Sequence, residues 1–86
     1  MIINDFNCMR LEIITPETTL FVGEVGLVQL PGIDGSFEIL DNHAPLISVL
    51  KVGKVKIQDA QKQTQFFDIK GGVVEVLFNK VLVLAE

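Results

Sequence analysis

Apolar residues in this chain recur at every second position, and no window longer than one turn keeps a helical period. Met9, Leu11 and Ile13 alternate with Arg10 and Glu12, and Val55 and Ile57 alternate with Lys54, Lys56 and Gln58. In residues 73–77 the same spacing sets Val74 and Val76 on one side. Successive side chains of a strand leave opposite faces, so a period of two builds sheets with a covered side. The pattern predicts Leu11, Ile13, Val55, Ile57, Val74 and Val76 in the core.

Turn signals cut the apolar runs short. Thr15-Pro16-Glu17-Thr18-Thr19 is a polar break, and Pro16 cannot donate to a central ladder. Leu20-Phe21-Val22 reads as a short strand ended or bulged at Gly23, and residues 25–30 resume the extended pattern. Leu30-Pro31-Gly32-Ile33 suits a type II turn, with Asp34-Gly35 as a second turn behind it. Phe37 and Ile39 alternate with Ser36 and Glu38 in a strand that Asp41-Asn42 breaks. Pro45 holds Ala44 extended before the apolar run Leu46–Leu50. Further runs follow at residues 54–58, 66–69, 73–77 and 81–84, separated by residues 59–64, Gly71-Gly72 and a bend near Asn79. Residues 1–7 have no period and read as a lead-in. About nine or ten strands of roughly 4–7 residues indicate an all-β, antiparallel β-sandwich in two sheets. A closed barrel is the alternative, because it buries alternate residues in the same way.

Eighty-six residues suffice for one small domain, 1–86, with few apolar side chains to spare for a ligand cavity. Eleven acidic residues against seven basic ones give a net charge of −4, which argues against nucleic acid as a partner. Lys51, Lys54 and Lys56 form the one basic cluster and suit a solvated strand face. The single cysteine, Cys8, excludes an internal disulfide and a cysteine-based zinc site. Residues 73–85 are interrupted by Glu75, Asn79 and Lys80 and fall short of the ~20 apolar residues that span a bilayer. A soluble chain is expected, associated with a membrane only through a partner.

The residues offer little chemistry. The one histidine, His43, has no nucleophile at a recognisable spacing; Asp41 two residues before it allows a base and its orienter. It also reads as a plain loop side chain, or as a contact residue beside Ala44-Pro45. Asp34, Glu38 and Asp41 lack the spacing of a calcium loop. No helix follows Gly71-Gly72 to make it a phosphate loop, so these glycines mark a bulge or a close backbone approach. No cofactor or metal is expected.

Three stretches stand together at characteristic separations: Gly32 to Pro45 with its His43-Ala44-Pro45-Leu46, Gly71-Gly72-Val73-Val74-Glu75-Val76, and Val81-Leu82-Val83-Leu84-Ala85-Glu86. In these the chain, over residues 9–86, resembles the N-terminal domain of the epsilon subunit of rotary ATP synthases. The resemblance implies a flattened two-sheet sandwich and a rotor subunit without chemistry of its own, which fixes the gamma subunit to the c-ring for ATP synthesis. It places His43, Thr15 and Ser48 against gamma. It sets the loop bearing Ile33, Asp34, Ser36 and Glu38 on the c-ring. Members often carry an acidic residue where Ser36 stands, a departure that leaves no single ion pair with the ring implied, with Asp34 and Glu38 as the residues that could replace it. It also implies a peripheral location at the cytoplasmic face of the cell membrane.

Members commonly continue into two helices that bind ATP or brake hydrolysis. Ala85-Glu86 follows a strand here and no amphipathic helix precedes it, so neither ATP binding nor epsilon-type inhibition is expected. A rival reading is a lipoyl- or biotinyl-type carrier domain with Lys62 or Lys80 at a hairpin tip, though neither lies in a Met-Lys-Met or Asp-Lys-Ala setting. A sugar-binding sandwich would want Trp or Tyr as a stacking platform, and the chain has neither.

Overall fold

One strand of fourteen residues, β2 (Thr19–Gly32), runs through both layers of the structure and connects them. The computed structural model describes residues 8–86, so the lead-in expected for residues 1–7 lies outside it. The other strands are β1 (Met9–Ile14), β3 (Gly35–Leu40), β4 (Leu46–Leu50), β5 (Gly53–Asp59), β6 (Thr64–Ile69), β7 (Gly72–Leu77) and β8 (Lys80–Ala85). Among the described residues eight strands therefore replace the expected nine or ten. The difference lies in β2, because Gly23 does not end a strand but pairs with Leu11 in the middle of the β1–β2 ladder.

The first half of β2 pairs with β1, and its second half pairs with β3 on one edge and β5 on the other. The β2–β5 register shifts between Val25 and Leu27, so Gly26 marks where the strand passes from one layer to the other. One layer is β4-β7-β8-β1 with the start of β2; the other is β3-β2-β5-β6. Pairing is antiparallel except between β1 and β8, which run parallel with Leu11 opposite Val81 and Ile13 opposite Val83. A closed barrel has no edge strand, whereas β3 and β6 each pair with one neighbour only, so the architecture is a β-sandwich.

Alternate residues of both layers meet in the middle. Leu11, Ile13, Val55, Ile57, Val74 and Val76 are all buried, together with Val28, Leu30, Ile39, Val81 and Val83. Among the described residues no polar or charged side chain is buried. The rings of Phe21 and Phe67, 5.8 Å apart and tilted by 58°, pack the start of β2 against β6.

The turn between β2 and β3 differs from the sequence reading. Pro31 and Gly32 do not form a type II turn; they remain in β2, opposite Ser36 and Gly35, and Ile33-Asp34 alone reverse the chain. Gly35 takes the positive φ of 126° that this tight reversal needs. A Cβ on Gly32 would stand 2.8 Å from the Phe37 ring and 2.7 Å from the Gly35 carbonyl, which explains why glycine is required in the strand itself. Gly71-Gly72 is a close backbone approach, as expected: Gly72 has φ 147°, and a Cβ there would run into the Leu84 carbonyl.

Two substitutions test this account by thermal unfolding followed by circular dichroism. Leu11→Ala empties a fully buried site and should cost about 2–5 kcal/mol. Gly72→Ala should cost on the order of 1–3 kcal/mol through backbone strain alone. A helix-dominated far-ultraviolet spectrum of the parent chain would contradict the fold.

Candidate functional site

Among the described residues no polar or charged side chain is buried, and the polar groups gather at the chain reversals and on the strand faces. At one end of the β4-β7-β8-β1 layer, two chain reversals are bound to each other. The β3–β4 loop (residues 41–45) meets the β7–β8 turn through Asn79, whose Nδ2 donates to Asp41 Oδ1 at 2.8 Å while its Oδ1 accepts from the Asn42 amide at 2.8 Å. The Asn79 carbonyl also accepts from the Arg10 amide at 3.0 Å, which fixes the turn to β1. Asn42, Phe78 and Asn79 take positive φ of 63°, 52° and 58°. Asparagine tolerates that region, but phenylalanine pays for it in strain.

His43 projects from this loop and is exposed. Its Nδ1 lies 2.8 Å from the Ala44 carbonyl, which can only accept, so Nδ1 is the donor in that contact. The carboxylate of Asp41 is engaged by Asn79 and by Asn42 Nδ2 at 3.1 Å, not by the imidazole. The base-and-orienter pair that the spacing allowed is therefore not formed.

The other residues assigned to gamma stand apart from His43. The Thr15 hydroxyl closes its own turn, accepting from the Thr18 amide at 3.1 Å and donating to the Thr18 carbonyl at 3.0 Å. Thr15 follows the end of β1 where the row Ile14, Leu84, Val73 and Val49 crosses the layer, whereas His43 precedes the opposite end of β4. Ser48 lies between, half-buried, in the inward row with Val74, Val83 and Ile13. It lines a shallow concavity of about 330 Å³ with Gly32, Ile33, Asp34, Phe37 and Val49. Ser48 thus neighbours the tip assigned to the c-ring rather than His43.

That tip is held from below, with the Ile33 amide donating to the Val49 carbonyl at 3.2 Å and the Lys51 amide to the Pro31 carbonyl at 2.8 Å. Ile33 is 56% exposed at its apex beside exposed Asp34. Ser36 and Glu38 are exposed on the outward side of β3, alternating with Phe37 and Ile39. Asp34, Glu38 and Asp41 do not converge, and among the described residues no group of three His, Cys, Asp or Glu could hold a metal ion. In the basic cluster, Lys54 is paired with Asp68 across β5 and β6 at 2.7 Å. Partial burial, aided by Glu24 and Asp41, raises the Cys8 thiol above its ordinary value, which favours the protonated form.

One surface was missed by the sequence reading. The outward rows of the β4-β7-β8-β1 layer carry Ile47, Val49, Val73, Leu77, Leu82 and Leu84, most of them exposed, with Ile47 at 72%. The face ends at Phe78, 86% exposed on the β7–β8 turn. Arg10, Glu12, Glu75 and Lys80 are interspersed there, around a concavity of about 390 Å³. The signal was present in Leu46–Leu50 and residues 81–84, which are apolar at both alternating positions, the pattern of a strand covered on two sides.

Residues 8–86 match the family model of the β-sandwich domain of the ATP synthase delta/epsilon chain. The ATP synthase epsilon chain of Chlorobium limicola is 46% identical over 77 residues, covering 90% of this chain and 88% of that one. The epsilon chain of Caulobacter vibrioides is 42% identical over 78 residues, covering 91% and 90%. Among solved structures, a chain of the Euglena gracilis mitochondrial ATP synthase OSCP/F1/c-ring assembly superposes with a TM-score of 0.87 at 15% identity. It is matched over 95% of this chain and 52% of its own length, and shares the fold.

The clasp between the two reversals is open to direct test. Asn79→Gly keeps the left-handed backbone and removes the amide, so hydrogen exchange at the Asn42 amide should quicken at least ~10-fold. Global stability should fall by no more than about 1–2 kcal/mol, measured by denaturant unfolding.

Proposed function

The chain belongs to the ATP synthase delta/epsilon family as its β-sandwich domain, and from that membership we propose that it works as the rotor adapter between gamma and the c-ring. The observation that carries this reading is the exposed apolar face of the β4-β7-β8-β1 layer, set on a body with a wholly apolar interior. Exposed apolar surface of this extent marks a protein contact rather than a catalytic cleft. Torque transfer needs an element that does not deform, and eight strands with continuous hydrogen bonding resist shear where a lone hairpin would not.

In this reading gamma lies along that layer and reaches His43 at one end and Thr15 at the other, with Ser48 at the seam. Its contact is then long rather than a cluster. Because the Thr15 hydroxyl is engaged in its own turn, Thr15 meets gamma through shape more than through a hydrogen bond. The Ile33-Asp34 tip, with Ser36 and Glu38, faces the polar loops of the c-ring. Asp34 supplies negative charge at the apex where Ser36 supplies none. The chain is non-catalytic, and it is held at the membrane through the ring. Carrier chemistry at Lys62 or Lys80 finds no support in the family membership, although both residues do stand at or beside hairpin turns.

Cross-linking tests the gamma surface. In a Cys8→Ser background, His43→Cys should form an oxidative or short-linker bond to gamma in assembled enzyme, read as a shifted band. His43→Ala should weaken gamma binding with stability changed by less than ~0.5 kcal/mol, as is usual for an exposed site. For the ring surface, Ile33→Asp should abolish rotor coupling, measured as ATP-driven proton pumping, while the isolated chain unfolds at its normal temperature. Full pumping by that variant would contradict the ring contact.

A further inference from the structure

We propose that Phe78, on the β7–β8 turn, is the aromatic anchor by which this chain seats on gamma; the inference rests on the rotor reading above. Nothing in the fold calls for phenylalanine at this position. The residue is 86% exposed, so it contributes almost nothing to the core. Its φ of 52° is one that β-carbon-bearing side chains resist, while the adjoining Asn79, at 58°, suits the same region. A residue that is both unburied and strained within its own chain finds its compensation outside it.

The turn is built to hold that ring still. Asn79 ties it to Asp41 and Asn42, and the Arg10 amide ties it to β1. Phe78 therefore shares one rigid body with His43, and both line a concavity of about 350 Å³ with Pro45. On its other side Phe78 borders the concavity of the apolar face, beside Leu77 and Leu82. The ring is thus a ridge between two hollows, with Arg10, Glu12 and Lys80 as a polar rim on one side and Asn42 on the other. An aromatic centre with a polar rim is the anatomy of an interface hot spot, and a preorganised turn lowers the entropy lost on docking. The fit is to an apolar, ring-sized socket on the partner. Because the ridge is continuous with His43, the partner assigned to His43 is the one that supplies the socket.

The strain makes a sharp test possible, because asparagine relieves it. Gamma affinity is measured by calorimetry for the parent chain, Phe78→Asn and His43→Ala, alongside thermal unfolding and analytical ultracentrifugation of each. Phe78→Asn should weaken gamma binding at least ~30-fold, the scale of a hot-spot loss. Its melting temperature should stay level or rise by a few degrees, so lost binding cannot be ascribed to lost fold. If Phe78→Asn binds gamma within twofold of a parent chain that itself binds, the anchor is overturned and the rotor reading stands. A parent chain that does not bind gamma overturns the rotor reading. Self-association of the parent that disappears in Phe78→Asn, with gamma affinity unchanged, overturns the assigned partner in favour of a second copy of this chain.

Discussion

Both layers depend on β2 remaining extended for fourteen residues while changing partners along its length. Its first half completes the β4-β7-β8-β1 layer through β1, and its second half carries β3 and β5. The passage is made at Gly26, where the pairing with β5 slips, so the covalent connection and the hydrogen-bonded connection between layers coincide. The single Gly32–Leu50 pairing then brings the far end of β2 back to β4. Layers joined in this way cannot slide without breaking ladder hydrogen bonds, the property a torque-bearing adapter needs.

The apolar interior forces the functional question outward. Among the described residues no polar or charged side chain is buried, so their polar groups meet solvent or one another at the surface. The polar interactions serve instead to lock reversals: Thr15 its own turn, Asp59 the amides of Gln61 and Gln63, and Asn79 two loops at once. Each reversal so held becomes a rigid projection, and rigid projections are what a docking surface uses. The chain belongs to the ATP synthase delta/epsilon family, and its surface is one of rigid, exposed projections.

The placement of the contact residues follows from register. His43 and Thr15 are separated by the length of a layer because β1 and β8 run parallel while β7 and β4 alternate, which sends the end of β1 away from the start of β4. Ser48 faces inward because it shares a row with Val74 and Val83. The residues that the resemblance assigns to gamma are therefore spread along the layer, with exposed apolar rows between His43 and Thr15.

The sequence by itself determined the class of fold and most of the core. Alternation is a local property: once Leu11 and Ile13, Val55 and Ile57, and Val74 and Val76 are two apart in extended chain, each pair must share a face. Glycine at Gly72 was legible for the same reason, since two glycines before an apolar run signal a close approach wherever it occurs. Which of two apolar rows stays open was decided by tertiary structure. Val73 and Val74, or Leu82 and Val83, are equally apolar neighbours, and only the second sheet, packed on one side, makes one a core residue and leaves the other open. The unity of β2 was decided in the same way, because Gly23 is a break by propensity and a strand residue only once β1 lies beside it. Partner strands, rows and clasped loops come from residues tens of positions apart, as Asp41 and Asn79 do, and local preference carries no term for who arrives on the other side.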